Sequence, residues 1–135
     1  FEKTFSENGL SFNYPENFGT KYISVVDWPP VLSTSTEAYS CMPTGDIVEA
    51  GGITEPVSIN GNNYCLTRAS EGAAGSVYTK YSYSRGVGTE IETLTFTLKA
   101  VQCGNYDQPE QKTCQTERNG FDPTTVVNQI FQTVR

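Results

Sequence analysis

The stretch Ser76-Val-Tyr-Thr-Lys-Tyr-Ser-Tyr-Ser-Arg85, followed across Gly86-Val-Gly88 by Thr89-Glu-Ile-Glu-Thr-Leu-Thr-Phe-Thr-Leu-Lys-Ala-Val101, carries the longest period-2 alternation in the chain. Side chains two apart on a strand share a face. Val77, Thr79, Tyr81 and Tyr83 therefore line one side of the first strand, and Leu94, Phe96, Leu98 and Ala100 one side of the second. The glycines between them permit a turn, so these two faces are expected to form the centre of a core. Tyr78 is out of phase with its neighbours and is expected on the exposed side, as a candidate binding residue.

Outward from this pair, Asn60-Gly61-Asn62 separates Pro56–Ile59 from Asn63–Arg68 and reads as a second hairpin, because Asn and Gly tolerate positive φ. Ser70 to Ser76 reads as a glycine-rich loop. It lacks the Lys-Ser/Thr of a phosphate cradle, and Glu71 at its start is a candidate ligand contact. Ile47 to Ala50 is weakly strand-like. On the N-terminal side, Leu10, Phe12 and Tyr14 share a face of a short strand that Pro15 ends, and Lys21 to Asp27 reads as another. Trp28-Pro29-Pro30 is expected to force an extended exit into a long Ser/Thr/Pro loop over 31–46.

Towards the C-terminus, Pro109 and Asn119-Gly120 bracket a helix, with a polar loop as the alternative reading. Asp122 and Pro123 open a clearer one, in which Val126, Val127, Ile130, Phe131 and Val134 form an apolar stripe. No repeat or linker divides the 135 residues, which fit a single domain. The expected fold class is α+β: a mostly antiparallel β-sheet of five to seven strands packed against a C-terminal helix, with two disulfides.

Only 36% of the residues are hydrophobic, a lean supply for a core of this size unless cross-links support it. Cys41, Cys65, Cys103 and Cys114 allow three pairings. Zinc requires close ligand pairs, yet the shortest spacing is Cys103 to Cys114 and there is no histidine. Buried free thiols are the plainer alternative. An even count in a lean, acidic, aromatic domain favours disulfides, and with them an extracytoplasmic location: secreted, periplasmic or surface-anchored. The expected pairing is Cys41 with Cys65 and Cys103 with Cys114, the second tying a strand end to the following helix.

The formal charge of −6 disfavours nucleic acid and anionic lipid as partners. No apolar run is long enough to span a membrane. A chain that begins at Phe1, with Met42 as its only methionine, is expected to be a processed or excised product, and any signal or anchor segment would lie upstream of it. The lack of any Asn-x-Ser/Thr acceptor leans towards a bacterial source.

Without histidine, Ser/His/Asp and Cys/His catalysis within the chain are excluded. Glu90 and Glu92 share a strand face with Cβ atoms roughly 7 Å apart, a spacing open to a glycosidase-type pair or to ordinary solvated charge. Asp27, Asp46, Glu49 and Glu55 could offer oxygen ligands to calcium, but no EF-hand loop is present. No cofactor or metal is expected. Trp28, in Asp27-Trp28-Pro29-Pro30, either anchors a partner or plugs the end of the sheet, and Asp27 beside it is the other candidate contact.

Gly9-Leu-Ser-Phe-Asn-Tyr-Pro-Glu-Asn-Phe18 resembles the opening strand of many exported bacterial domains. Val126-Val-Asn-Gln-Ile-Phe-Gln-Thr-Val-Arg135 is similar to their closing helix and tail. Both resemble the PsbP/Mog1-like group, while the middle of the chain looks more like secreted or lipoprotein-type proteins of candidate-phyla bacteria. The resemblance implies an antiparallel sheet packed on helices and a binding or assembly role with no shared catalytic set. The leading expectation is a monomeric, non-enzymatic exported domain that binds a protein or cell-envelope ligand through an exposed patch near Trp28 or Ser70–Ser76. A secreted carboxylate-based hydrolase or hydrolase inhibitor, and a structural envelope module, are the alternatives.

Overall fold

A computed structural model describes residues 1–44 and 52–135. Seven strands and two α-helices follow in the order β1 (Lys3–Glu7), β2 (Leu10–Tyr14), β3 (Ile23–Ser35), β4 (Ile53–Ile59), β5 (Asn62–Ala73), β6 (Ser76–Val87), β7 (Glu90–Val101), α1 (Glu110–Gly120) and α2 (Thr124–Gln132). β1 and β2 form a hairpin, and the other five make an antiparallel sheet in the order β3-β7-β6-β5-β4. The α+β class and both disulfides stand as expected. The strand reading of Ile47–Ala50 falls outside the described residues.

Four adjacent strands are joined by two-residue turns whose chemistry sets the register. Asn60 (φ 52°) and Gly61 (φ 80°) link β4 to β5, and Gly88 (φ 59°) leads the turn from β6 to β7. Between β5 and β6 the structure corrects the sequence reading. Ser70–Ala73 is not a loop but strand, paired in register with Ser76–Thr79, and only Ala74 and Gly75 turn the chain. Small side chains with weak strand preference accept this pairing because the neighbouring ladder imposes it.

A second correction concerns β3. It does not end at the prolines. Pairing with β7 lapses between Val26 and Val31 and then resumes as far as Ser35 opposite Ile91, so Asp27–Pro30 form an irregularity within an edge strand. β1 was not foreseen, since Phe5 is its only large apolar residue; Asn8 (φ 52°) and Gly9 (φ 81°) turn it onto β2.

One face of the sheet carries the core. Tyr83, Leu94, Phe96 and Leu98 are buried there as the alternation required, joined by Tyr64 and Leu66 from β5. Phe12 from the hairpin and Val127, Ile130 and Phe131 from α2 close over them. Phe131 stacks on Tyr64 at 5.1 Å between ring centroids, a burial that stabilises by about 2–3 kcal/mol relative to an exposed ring. The chain end is tied down as well, with Ser11 and Arg135 exchanging backbone hydrogen bonds of 3.1 and 2.9 Å. α1 is polar, and Cys114 is its one buried residue; the disulfide to Cys103, packed with Tyr22, fixes it.

The opposite face is polar. Val31, Thr95, Ser82, Thr67 and Thr54 form one cross-strand row, in which Thr54 and Thr67 share a 2.9 Å hydroxyl bond. The 36–44 segment straps this face. Tyr39 lies so close to Gly86 that an added Cβ there would sit 3.1 Å from it, Cys41 is bonded to Cys65, and Thr44 N–H donates to Thr54 O at 3.1 Å. The sheet's two edges are thereby joined over its outer side.

Candidate functional site

The four sequence-selected residues fall in two separate places. Trp28 turns towards the core, where its ring meets Phe96 edge-on at 5.8 Å and Phe18 at 5.3 Å, and its Nε1–H donates to Pro15 O at 2.8 Å. It is partly buried and packs against one end of the aromatic core. Asp27, next to it, is exposed with φ 58°. Glu71 and Tyr78 sit directly opposite one another on the outer face, with Lys99 Nζ 5.9 Å from the Tyr78 ring centroid. Trp28 and Tyr78 therefore point from opposite sides of the sheet, and no single patch unites them.

The Glu90/Glu92 reading as a paired or solvated set is corrected. Glu92 lies on the core face and is buried, and both Arg85 Nε and Nη2 approach its Oε1 at 2.8 Å. Glu90 is exposed beside the turn. Of the calcium candidates, Glu55 is engaged by Arg68, Asp27 stands exposed, and Asp46 and Glu49 fall outside the described residues.

A different constellation does converge. A cleft of ≈ 290 Å³ opens on the helix-bearing face, between β4, β5, β6 and the 119–124 corner that joins the helices. Glu55, Arg68, Tyr81, Tyr83, Asp122 and Thr124 supply its chemistry. A depression of ≈ 180 Å³ adjoins it, shares Arg68 and Tyr81, and continues to Ser70 and Thr79.

Strand parity puts these residues together. Tyr64, Leu66 and Arg68 alternate onto the core face of β5, and Arg68 falls opposite Tyr81 on β6 and Ile53 on β4. Glu55 faces the same way from β4, opposite Leu66. Past Gly120 the helix cannot continue through Pro123, and Asp122 Oδ1 accepts from Thr124 N–H at 2.9 Å to start α2. This corner forms the cleft's far wall.

Tyr81 is the aromatic floor, stacked at 10° on Phe96 and at 9° on Tyr83. The Tyr83 hydroxyl bonds the Thr124 hydroxyl at 2.9 Å. Burial pushes both phenols above their ordinary range, so they remain neutral hydrogen-bonding groups at physiological pH. Arg68 Nη2 meets Glu55 Oε1 at 3.0 Å. Its Nε, by contrast, is buried and has no acceptor among the described residues. An unanswered buried donor costs about 1–3 kcal/mol; this one is closed off from the cleft, while the rest of the Arg68 side chain, 40% exposed, carries the guanidinium's outer N–H groups to it.

The larger hollow of ≈ 380 Å³ beside Tyr39, Asn62 and Arg85 offers less. Arg85 is spent on Glu92, and the Tyr64 hydroxyl that lines it donates to Asn128 Oδ1.

Sequence reasoning passed over Arg68 and Asp122 as site residues and weighed Glu55 only as a calcium ligand. The signal for Arg68 was present: a charged residue at the apolar phase of an alternating strand. No protein-family model, curated protein or solved structure matches the chain. What the fold and site define is a small, disulfide-stapled α+β domain with a polar-rimmed aromatic cleft. Among the described residues no helix is long and apolar enough to cross a membrane. The two disulfides point to folding in an oxidising compartment.

Proposed function

We propose that this chain is a non-enzymatic binding domain working outside the cytoplasm, secreted, periplasmic or surface-anchored, and that it holds a protein or cell-envelope ligand in the cleft around Arg68 and Tyr81. The convergence of the partly exposed Arg68 with Tyr81, Glu55, Asp122 and Thr124 in one cleft carries the proposal, because an aromatic wall with a few convergent polar groups is what a small-ligand site requires. The resemblance of the chain's two ends to the PsbP/Mog1-like group, mostly binding and assembly factors, favours the same reading.

Two carboxylates line the cleft, which keeps a hydrolase as the second reading. Each already has a task, however: Glu55 pairs with Arg68 and Asp122 starts α2. Amide and arginine side-chain NMR during titration with purified muropeptides, oligosaccharides and short peptides tests the proposal. Shifts focused on Arg68, Tyr81 and Thr124 for at least one class, with the added compound intact afterwards, are the expected result. A cleft that responds to none of them would sink it, and cleavage of the added compound would replace it with the hydrolase reading.

A further inference from the structure

Resting on that reading, we infer that the cleft's ligand is a neutral saccharide, seated with one sugar face on Tyr81 and its hydroxyls between Arg68, Glu55 and Asp122. The inventory of the cleft selects this class. Arg68, 40% exposed, offers guanidinium N–H donors beyond the one engaged by Glu55. Glu55 and Asp122 keep acceptor capacity beyond their bonds to Arg68 and the Thr124 N–H. Tyr81 adds an aromatic surface ending in a hydroxyl, with the fully buried Tyr83 packed behind it, and Ser70 and Thr79 extend the polar rim with a 2.8 Å hydroxyl pair. A compact molecule that donates and accepts from adjacent positions, and also has an apolar C–H face, is a pyranose.

Charge separates this class from the nearest competitor. An acidic ligand would satisfy the exposed Arg68 N–H groups equally well. However, the guanidinium charge is already matched by Glu55 at 3.0 Å, and Asp122 lines the same cleft. A further carboxylate or phosphate would enter beside two like charges, with Arg68 already compensated and Arg118 acting on Tyr81 without lining the cleft, which is unfavourable at short range. A neutral hydroxyl accepts from Arg68 without that penalty. The cleft and its adjoining depression are large enough for a few sugar rings and share the Tyr81–Arg68 divide, suiting a short oligosaccharide rather than a polymer laid flat.

The experiment is an NMR titration of the intact, oxidised protein with N,N′-diacetylchitobiose, cellotriose and maltotriose. A galacturonic acid trimer and an uncharged tetrapeptide serve as comparison probes. At least one neutral sugar should shift the Arg68 Nε–H and the Phe121–Thr124 amides, with nuclear Overhauser contacts from sugar C–H protons to the Tyr81 ring. The uronate should bind at least ten-fold more weakly than the best neutral sugar. Arg68→Met and Tyr81→Leu should each weaken binding ten-fold or more while leaving the Tyr83 and Phe131 resonances in place. The wild-type contacts decide the matter if either variant fails to fold. Uronate binding as tight as the neutral sugars, or sugar contacts lying away from Tyr81, overturns the inference. A cleft that answers the tetrapeptide and no sugar removes the saccharide and leaves the binding role standing; one that answers neither removes both.

Discussion

Arg85 and Glu92 face each other across β6 and β7, and the Arg85 guanidinium lies 4.7 Å from the centroid of the Phe131 ring. One cation thus neutralises a buried carboxylate and packs on an aromatic of α2. The Glu92 side chain is only 10% exposed, so removing its partner leaves a charge with little water to solvate it. Arg85→Ala should destabilise the fold by about 3–5 kcal/mol in urea unfolding. The double replacement Arg85→Met with Glu92→Leu should recover most of that loss, since no buried charge then remains.

The two disulfides close loops of different length, with sequence separations of 24 for Cys41–Cys65 and 11 for Cys103–Cys114. Loop-closure entropy assigns about 3.5 kcal/mol to the first and about 3 kcal/mol to the second. Paired Cys→Ala variants should show these losses in thermal or urea unfolding. The Cys103/Cys114 variant should also expose Tyr22 and release α1, whose remaining anchors are polar, such as Glu117 accepting from Tyr22 N–H at 2.9 Å.

Alkaline pH should unfold the protein through its tyrosines. Burial holds the Tyr83 and Tyr81 phenols above their ordinary value of 10, whereas in the unfolded chain they titrate near it. The unfolded state therefore releases protons first. The contribution is complete below about pH 10 and is lost as pH rises towards the folded-state values. The buried phenolate absorbance should appear together with loss of sheet circular dichroism. Titration of Tyr83 with the sheet intact would contradict this.

Ala74 occupies the left-handed region at φ 52°, beside Gly75 at φ 78°. An L-residue with a Cβ is strained there, and glycine is not. Ala74→Gly should raise stability by about 0.5–1 kcal/mol, a gain readable as a higher urea midpoint at unchanged slope.

The same turn shows where the sequence was legible and where it was not. Tyr81, Tyr83, Leu94 and Phe96 announced their shared face because large apolar side chains at period 2 leave few alternatives. Ser70–Ala73 hid its strand character because small residues have little intrinsic preference, and pairing with Ser76–Thr79 decides their state. Trp28-Pro29-Pro30 looked like an end, but an edge strand can bulge around residues that do not pair and resume beyond them. The cleft was half visible. Arg68 broke the apolar phase of β5 in plain view, whereas Asp122 reaches it only through the corner between two helices, a relation no local pattern encodes.

The strand order β3-β7-β6-β5-β4 also dictates a sequence of events in time. β4 to β7 form a meander of nearest neighbours closed by two-residue turns, so each of its pairings can begin locally. β3 has no partner until β7 exists, although it precedes the whole meander in the chain. Its docking must close a large loop and belongs to the slow, non-local part of folding. In pulse-labelled hydrogen exchange, the amides of Tyr81 and Phe96 should be protected before those of Val25 and Leu32. The strap carrying Cys41 would then be drawn across a sheet already built.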